Sequence, residues 1–154
     1  MAEPLITAES PADVAATVRS VTAQLARRGI TLFATIDHAA GARDAGLTMP
    51  DETVLIFGNP TAGTPLMQTD PRVGIELPLR LLIWDDGGTT RIGYADPAAL
   101  TQRYALDDVA ENLGRMRGLL ATIVAEAVGT PDDPGRLPGA TGTGDDAGRH
   151  RVPG

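Results

Sequence analysis

The sequence predicts an α+β domain on a mostly antiparallel sheet, ordered β-α-β(4)-α, with short helical inserts and two main helices on one face. Two long amphipathic segments, near residues 10–29 and 107–129, bracket the chain. Between them, short apolar runs are punctuated by Gly, Pro and Asp. Those runs lack the regular crossover helices that a parallel sheet needs.

Leu5–Ala8 reads as a short first strand. A helix follows, with Ser10 as cap, Pro11 at its first position and Asp13 completing an approximate capping box. Val14, Val18, Val21 and Leu25 form its apolar face, and Gly29 supplies the C-terminal turn. In "ITLFATI", Ile30, Leu32, Ala34 and Ile36 alternate as one face of a half-buried strand. "DHAAGARDAG" is a short helix and "ETVLIFG" an apolar strand closed by Gly58. "NPTAGTPLMQTDP" holds one short helix, with Asn59–Pro60 or Thr64–Pro65 as its start. Leu79–Asp85 and Thr89–Tyr94 flank a Gly-containing turn as a hairpin. "DPAAL" is another short capped helix. The segment from Asp107 to Gly129 is a long helix with a stripe of Val109, Leu113, Met116, Leu120, Ile123 and Val124. Residues 1–129 are thus read as one domain. From residue 130 to 154, Gly, Pro and Asp replace large apolar side chains, which predicts a disordered tail containing His150.

Composition excludes several chemistries. The 154 residues contain no cysteine, and all 13 cationic side chains are arginine. Thiolate nucleophiles, Cys-zinc sites, Schiff-base lysines and the P-loop lysine are therefore absent. The two serines, Ser10 and Ser20, lie in no G-x-S-x-G setting. A net charge of −7 without a basic stripe argues against nucleic acid and anionic membrane as partners. No apolar run approaches the roughly 20 residues of a membrane span, and no secretory leader is visible. The expectation is a cytoplasmic protein. No spacing points to a metal site, and no cofactor is implied. Leu82 and Trp84 have the opposite parity to Leu81 and Ile83, so the second sheet face is also apolar. A homodimer would cover it.

The words "TIDHAAGARDAG", "VLIFGNPTAGTPLMQTDP", "GIELPLRLLIWDD" and "YADPAALTQRY" occur in this order. Across residues 10–128 the chain resembles the domain of unknown function 302 family. That resemblance implies a TATA-binding-protein-like fold, often dimeric, with no implication of DNA binding. No established activity comes with it. The family's recurring positions map onto Asp37, His38, Gly58, Asn59, Pro60, Gly63, Thr64, Met67, Leu77, Pro78, Tyr94 and Pro97. Many relatives carry Arg-His where this chain has Arg103–Tyr104.

His38 is the one histidine before the tail, and so the default general acid or base, the alternative being a structural hydrogen bond at the strand end. Asp37 beside it reads as a helix cap. Asn59 either caps a helix or turns its amide toward a ligand. The backbone N–H groups of "NPTAGT" form a potential anion cradle. The first functional reading is a small-ligand-binding homodimer, with a pocket near His38 and Asn59 lined also by Thr64 and Tyr94. The alternatives are an enzyme using His38, with Tyr94 or Tyr104 as proton donor, and an interaction domain without a ligand. His38 and Asn59 follow adjacent predicted strands. They meet only if those strands are parallel.

Overall fold

A computed structural model describes residues 5–129. The expected tail at 130–154 lies outside the described residues. Five strands form one antiparallel sheet: β1 (Ile6–Ser10), β2 (Thr31–Asp37), β3 (Glu52–Gly58), β4 (Leu79–Asp86) and β5 (Thr89–Tyr94). Their spatial order is β1-β5-β4-β3-β2. The helices are α1 (Val14–Arg27), α2 (His38–Asp44), α3 (Pro60–Thr69) and α4 (Ala110–Gly129). The α+β class and the antiparallel sheet agree with the sequence reading. Two 3₁₀ turns, Pro97–Gln102 and Asp107–Val109, stand where helix was expected, and a third, Pro71–Glu76, was not foreseen.

The start of α1 corrects one expectation. Ser10 is the last residue of β1, and Asp13 is the cap, accepting a 2.7 Å bond from the Ala16 N–H. The Ser10 hydroxyl is instead buried against Thr17 at 2.7 Å, tying the strand end to the first turn. The far end of α1 closes as predicted. Gly29 takes φ +67°, and the Ile30 N–H reaches back to the Leu25 carbonyl at 2.9 Å.

A bulge in β2 corrects a second expectation. Leu32 pairs with Phe57, but Ala34 pairs with Ile56, so Phe33 is an extra residue. One inserted residue reverses the side-chain parity of a strand. Ile30 and Leu32 therefore pack on the helix-covered core. Ala34 and Ile36 fall on the opposite face, beside Ile56 and Val54.

That core joins Leu55, Phe57, Leu81, Ile83 and Ile92 of the sheet to Val21, Leu25, Leu120 and Ile123 of α1 and α4. A second cluster, Leu66, Val73, Leu100, Leu106, Leu113 and Met116, sits beneath α3 and the first half of α4. Gln24 crosses the α1–α4 seam and donates from Nε2 to the Ile123 carbonyl at 3.0 Å.

Among the described residues, no helix covers the other sheet face. Ile36 is 41% exposed there, while Val54, Ile56, Leu82 and Trp84 are half-buried. The Trp84 indole lies over Gly93, where an added Cβ would stand 3.2 Å from Cζ3. Among the described residues, no helix is long and apolar enough to cross a membrane.

Candidate functional site

A cleft of about 470 Å³ lies between α3, α4 and the β3 end of the sheet. A volume of this size suits a small organic ligand, whose sites span about 300–1,000 Å³. Its construction follows from local sequence. β3 ends at Gly58, and Asn59 caps α3 by accepting from the Thr61 N–H at 2.9 Å. Pro60 then takes the first helical position, where no N–H is needed. The return strand begins with Leu77-Pro78, which closes over Gly58 and Gly63. An added Cβ would meet Pro78 at 3.4 Å from Gly58 and Leu77 at 3.5 Å from Gly63. The floor is apolar, with Ile30, Phe33, Met67, Leu79, Met116 and Leu119. The polar groups are Asn59 and Thr64 on the α3 side, and Asn112 and Arg115 on α4.

Asn112 and Arg115 are absent from the sequence reading. With Met116 and Leu119 they occupy positions i, i+3, i+4 and i+7, one face of α4. That face flanks the apolar stripe. A polar pair bordering a core stripe was the available signal, and it is faint.

The expected anion cradle at "NPTAGT" is not open. Pro60 has no N–H, the Thr61 N–H is used by Asn59 Oδ1, and those of Ala62 and Gly63 bond the Asn59 carbonyl at 2.9 and 3.1 Å. The Asn59 amide nitrogen makes no hydrogen bond among the described residues.

The structure separates His38 from Asn59, which corrects the expected common pocket. β2 and β3 run antiparallel, with Asp37 opposite Thr53 and Thr31 opposite Gly58. The two C-terminal strand ends therefore lie at opposite rims. His38 is exposed at the first position of α2, and Asp37 is spent as the cap, accepting from the Ala40 N–H at 2.9 Å. His38 and Tyr94 both border a second concavity, of about 530 Å³, on the uncovered sheet face. Tyr94 is buried, and that burial, with Asp96 nearby, raises the pKa of its phenol. Among the described residues, no group of three His, Asp or Glu side chains is placed to hold a metal ion.

A charged cluster braces the segment after α3, and two of its members, Glu76 and Arg103, line the second concavity. Asp70, 4% exposed, accepts from Arg72 Nε and Nη2 at 3.0 and 2.8 Å and from the Ala105 N–H at 3.1 Å. The Arg72 guanidinium, with that N–H, holds the Asp70 carboxyl well below the usual carboxylate range. Glu76 accepts from Arg103 at 2.9 Å and from the Tyr104 hydroxyl at 3.0 Å. Burial, then this bond, raises the Tyr104 pKa. Tyr104 thus serves as a hydrogen-bond donor.

Together these features define an antiparallel α+β domain with an apolar cleft beside its sheet. The chain belongs to the family described as "Domain of unknown function DUF302", whose model matches residues 6–123. It is similar to an uncharacterized conserved DUF302 protein from Bacillus stearothermophilus, known from a crystal structure. The TM-score is 0.73 at 20% identity, covering 82% of this chain and 99% of that one, a likeness of fold. Curated relatives include proteins named fluoride-specific ion channel FluC 1 in Brucella suis biovar 1 and Brucella abortus biovar 1. Each is 45% identical over 103 residues, which is 66% of this chain and 41% and 38% of theirs. The chain thus spans about two fifths of the length of the curated relatives it matches.

Proposed function

We propose that this protein is a small-ligand-binding domain whose site is the cleft between α3 and α4. The observation that carries the reading is convergence. Phe33 of β2, Asn59 and Met67 at α3, Pro78 before β4, and Arg115 and Met116 of α4, distant along the chain, meet around one apolar cavity with few polar groups. His38 lies outside it. The alternative of His38 as general acid or base has less support, because its neighbouring carboxylate is committed to a helix cap. The interaction-domain reading draws on the uncovered apolar sheet face, which we assign to a homodimer contact. The relatives named as channels suggest a setting. Their segment similar to this chain is a minor part of their length, so this chain corresponds to a binding module beside whatever part conducts.

A ligand-observed fragment screen by NMR tests the site. Gly63→Leu would place a side chain in the cleft at a position with ordinary van der Waals clearance, 3.5 Å to Leu77. Fragment signals lost in Gly63→Leu and kept in His38→Ala support the cleft. Signals that persist in Gly63→Leu sink it. For the homodimer, sedimentation of Leu82→Arg should give monomer at concentrations where wild type is dimeric. Monomeric wild type throughout would overturn that contact.

A further inference from the structure

We infer that the cleft between α3 and α4 takes a small monocarboxylate with an apolar body, its carboxylate held by Arg115; this rests on the binding reading above and names the ligand class. The walls supply the first half. Phe33, Met67, Leu77, Pro78, Met116 and Leu119 offer hydrocarbon and thioether surface with no acidic side chain among the lining residues. Arg115 supplies the second. Eight ion pairs engage Arg27, Arg28, Arg72, Arg80, Arg91, Arg103 and Arg117; of Arg19, Arg43 and Arg115, which form none among the described residues, Arg115 lines the cleft. It stands one helical turn from Asn112 on the same face of α4, at the same cavity as the uncommitted Asn59 amide nitrogen.

A guanidinium with flanking amide donors matches a carboxylate, which accepts two parallel bonds from the planar fork. The first turns of α3 and α4 border the same cavity, but Asp107, Asp108 and Glu111 already offset the field at the start of α4. The α3 backbone donors are already bonded, so recognition falls to the side chains. The chain's net charge is −7, so its long-range field disfavours an anion and favours a cation. A preference for an anionic head would therefore report the local site rather than the overall field.

Three probes with ten-carbon chains separate the terms: decanoate, decanol and decylammonium, titrated by calorimetry below the concentrations at which they aggregate. Decanoate should bind more tightly than decanol, and decylammonium most weakly. Octanoate should bind about fifteenfold more weakly than decanoate, at about 0.8 kcal/mol for each of two buried methylenes. Arg115→Gln should weaken decanoate about tenfold and leave decanol unchanged, as expected for losing one charge-assisted bond. Arg115→Lys should recover part of that loss. Decanoate no tighter than decanol, or indifferent to Arg115→Gln, overturns the carboxylate inference while leaving the cleft as a binding site. If no probe binds, or if Gly63→Leu leaves decanoate binding intact, both the inference and the site fall.

Discussion

The two cavities are close in size, about 470 and 530 Å³, yet they are built differently. The cleft is walled by two helices, a loop and a strand end, and residues from separate stretches of the chain turn into it. The second concavity joins part of the uncovered sheet face, Ile36, Val54, Ile56 and Leu82, to Glu76, Asp96 and Arg103 off the sheet, with His38 at its border. The first concentrates unusual local chemistry: a glycine-ended strand, an asparagine cap, a proline at the first helical turn. The second combines strand alternation with the turn after β5 and carries the paired charges of Glu76 and Arg103. Size alone would rank them together; the proposed ligand site is the first, and the proposed contact between copies lies on the sheet part of the second.

The sharpest way to break this comparison is a pair of adjacent substitutions in β4. Leu81 is fully buried beneath the helices, so Leu81→Ala should destabilise by about 2–5 kcal/mol in urea unfolding. Leu82 points to the uncovered face. Leu82→Ala should cost less than about 1.5 kcal/mol at high dilution, where no partner covers it. Equal losses at high dilution would mean that the face is covered within a single chain. A Leu82→Ala penalty that grows with protein concentration would locate the homodimer contact there.

A smaller effect concerns the cleft's support. Asp70 has a lowered carboxyl pKa in the folded state, so its contribution is fully present above about pH 4, the unfolded range, and is lost as pH falls through the lower folded value. Asp70→Asn should therefore destabilise at neutral pH and flatten the acid limb of the stability profile. Thermal melts from pH 7 to pH 2 check this. An acid limb unchanged by the substitution would remove Asp70 from the account.

The smallest effect has the opposite sign. Gly63 sits within α3 at an ordinary helical φ, with 3.5 Å clearance for a Cβ, so Gly63→Ala should stabilise by about 0.4–1 kcal/mol. Gain of stability with weaker binding would identify this glycine as room kept for a ligand. A loss of stability would show the cleft wall to be tighter than its contacts imply.

Much of the fold is legible in the sequence because its signals are local. Glu52–Gly58 and the β4–β5 hairpin follow from apolar runs stopped by glycine, and the cap of α3 follows from Asn59–Pro60. Two local readings fail where tertiary structure intervenes. Ser10–Pro11 has the chemistry of a helix start, but pairing with β5 extends β1 through Ser10. The Phe33 bulge depends on how β2 meets β3, which alternation within β2 does not encode. The site divides the same way. Asn59 and Thr64 are found from their own segment, while Arg115 joins them only through the packing of α4, some fifty residues on. His38 was singled out as the one titratable side chain of its kind. Strand direction then carries it away from Asn59.

Trp84 is the chain's only tryptophan, and it rests on Gly93 on the uncovered sheet face. Intrinsic fluorescence is therefore a one-sided gauge. Contact between two copies through that face would exclude water from the indole and shift its emission to the blue. A ligand entering the cleft would leave the spectrum essentially unchanged. The molecule thus carries its own optical label for distinguishing self-association from ligand uptake.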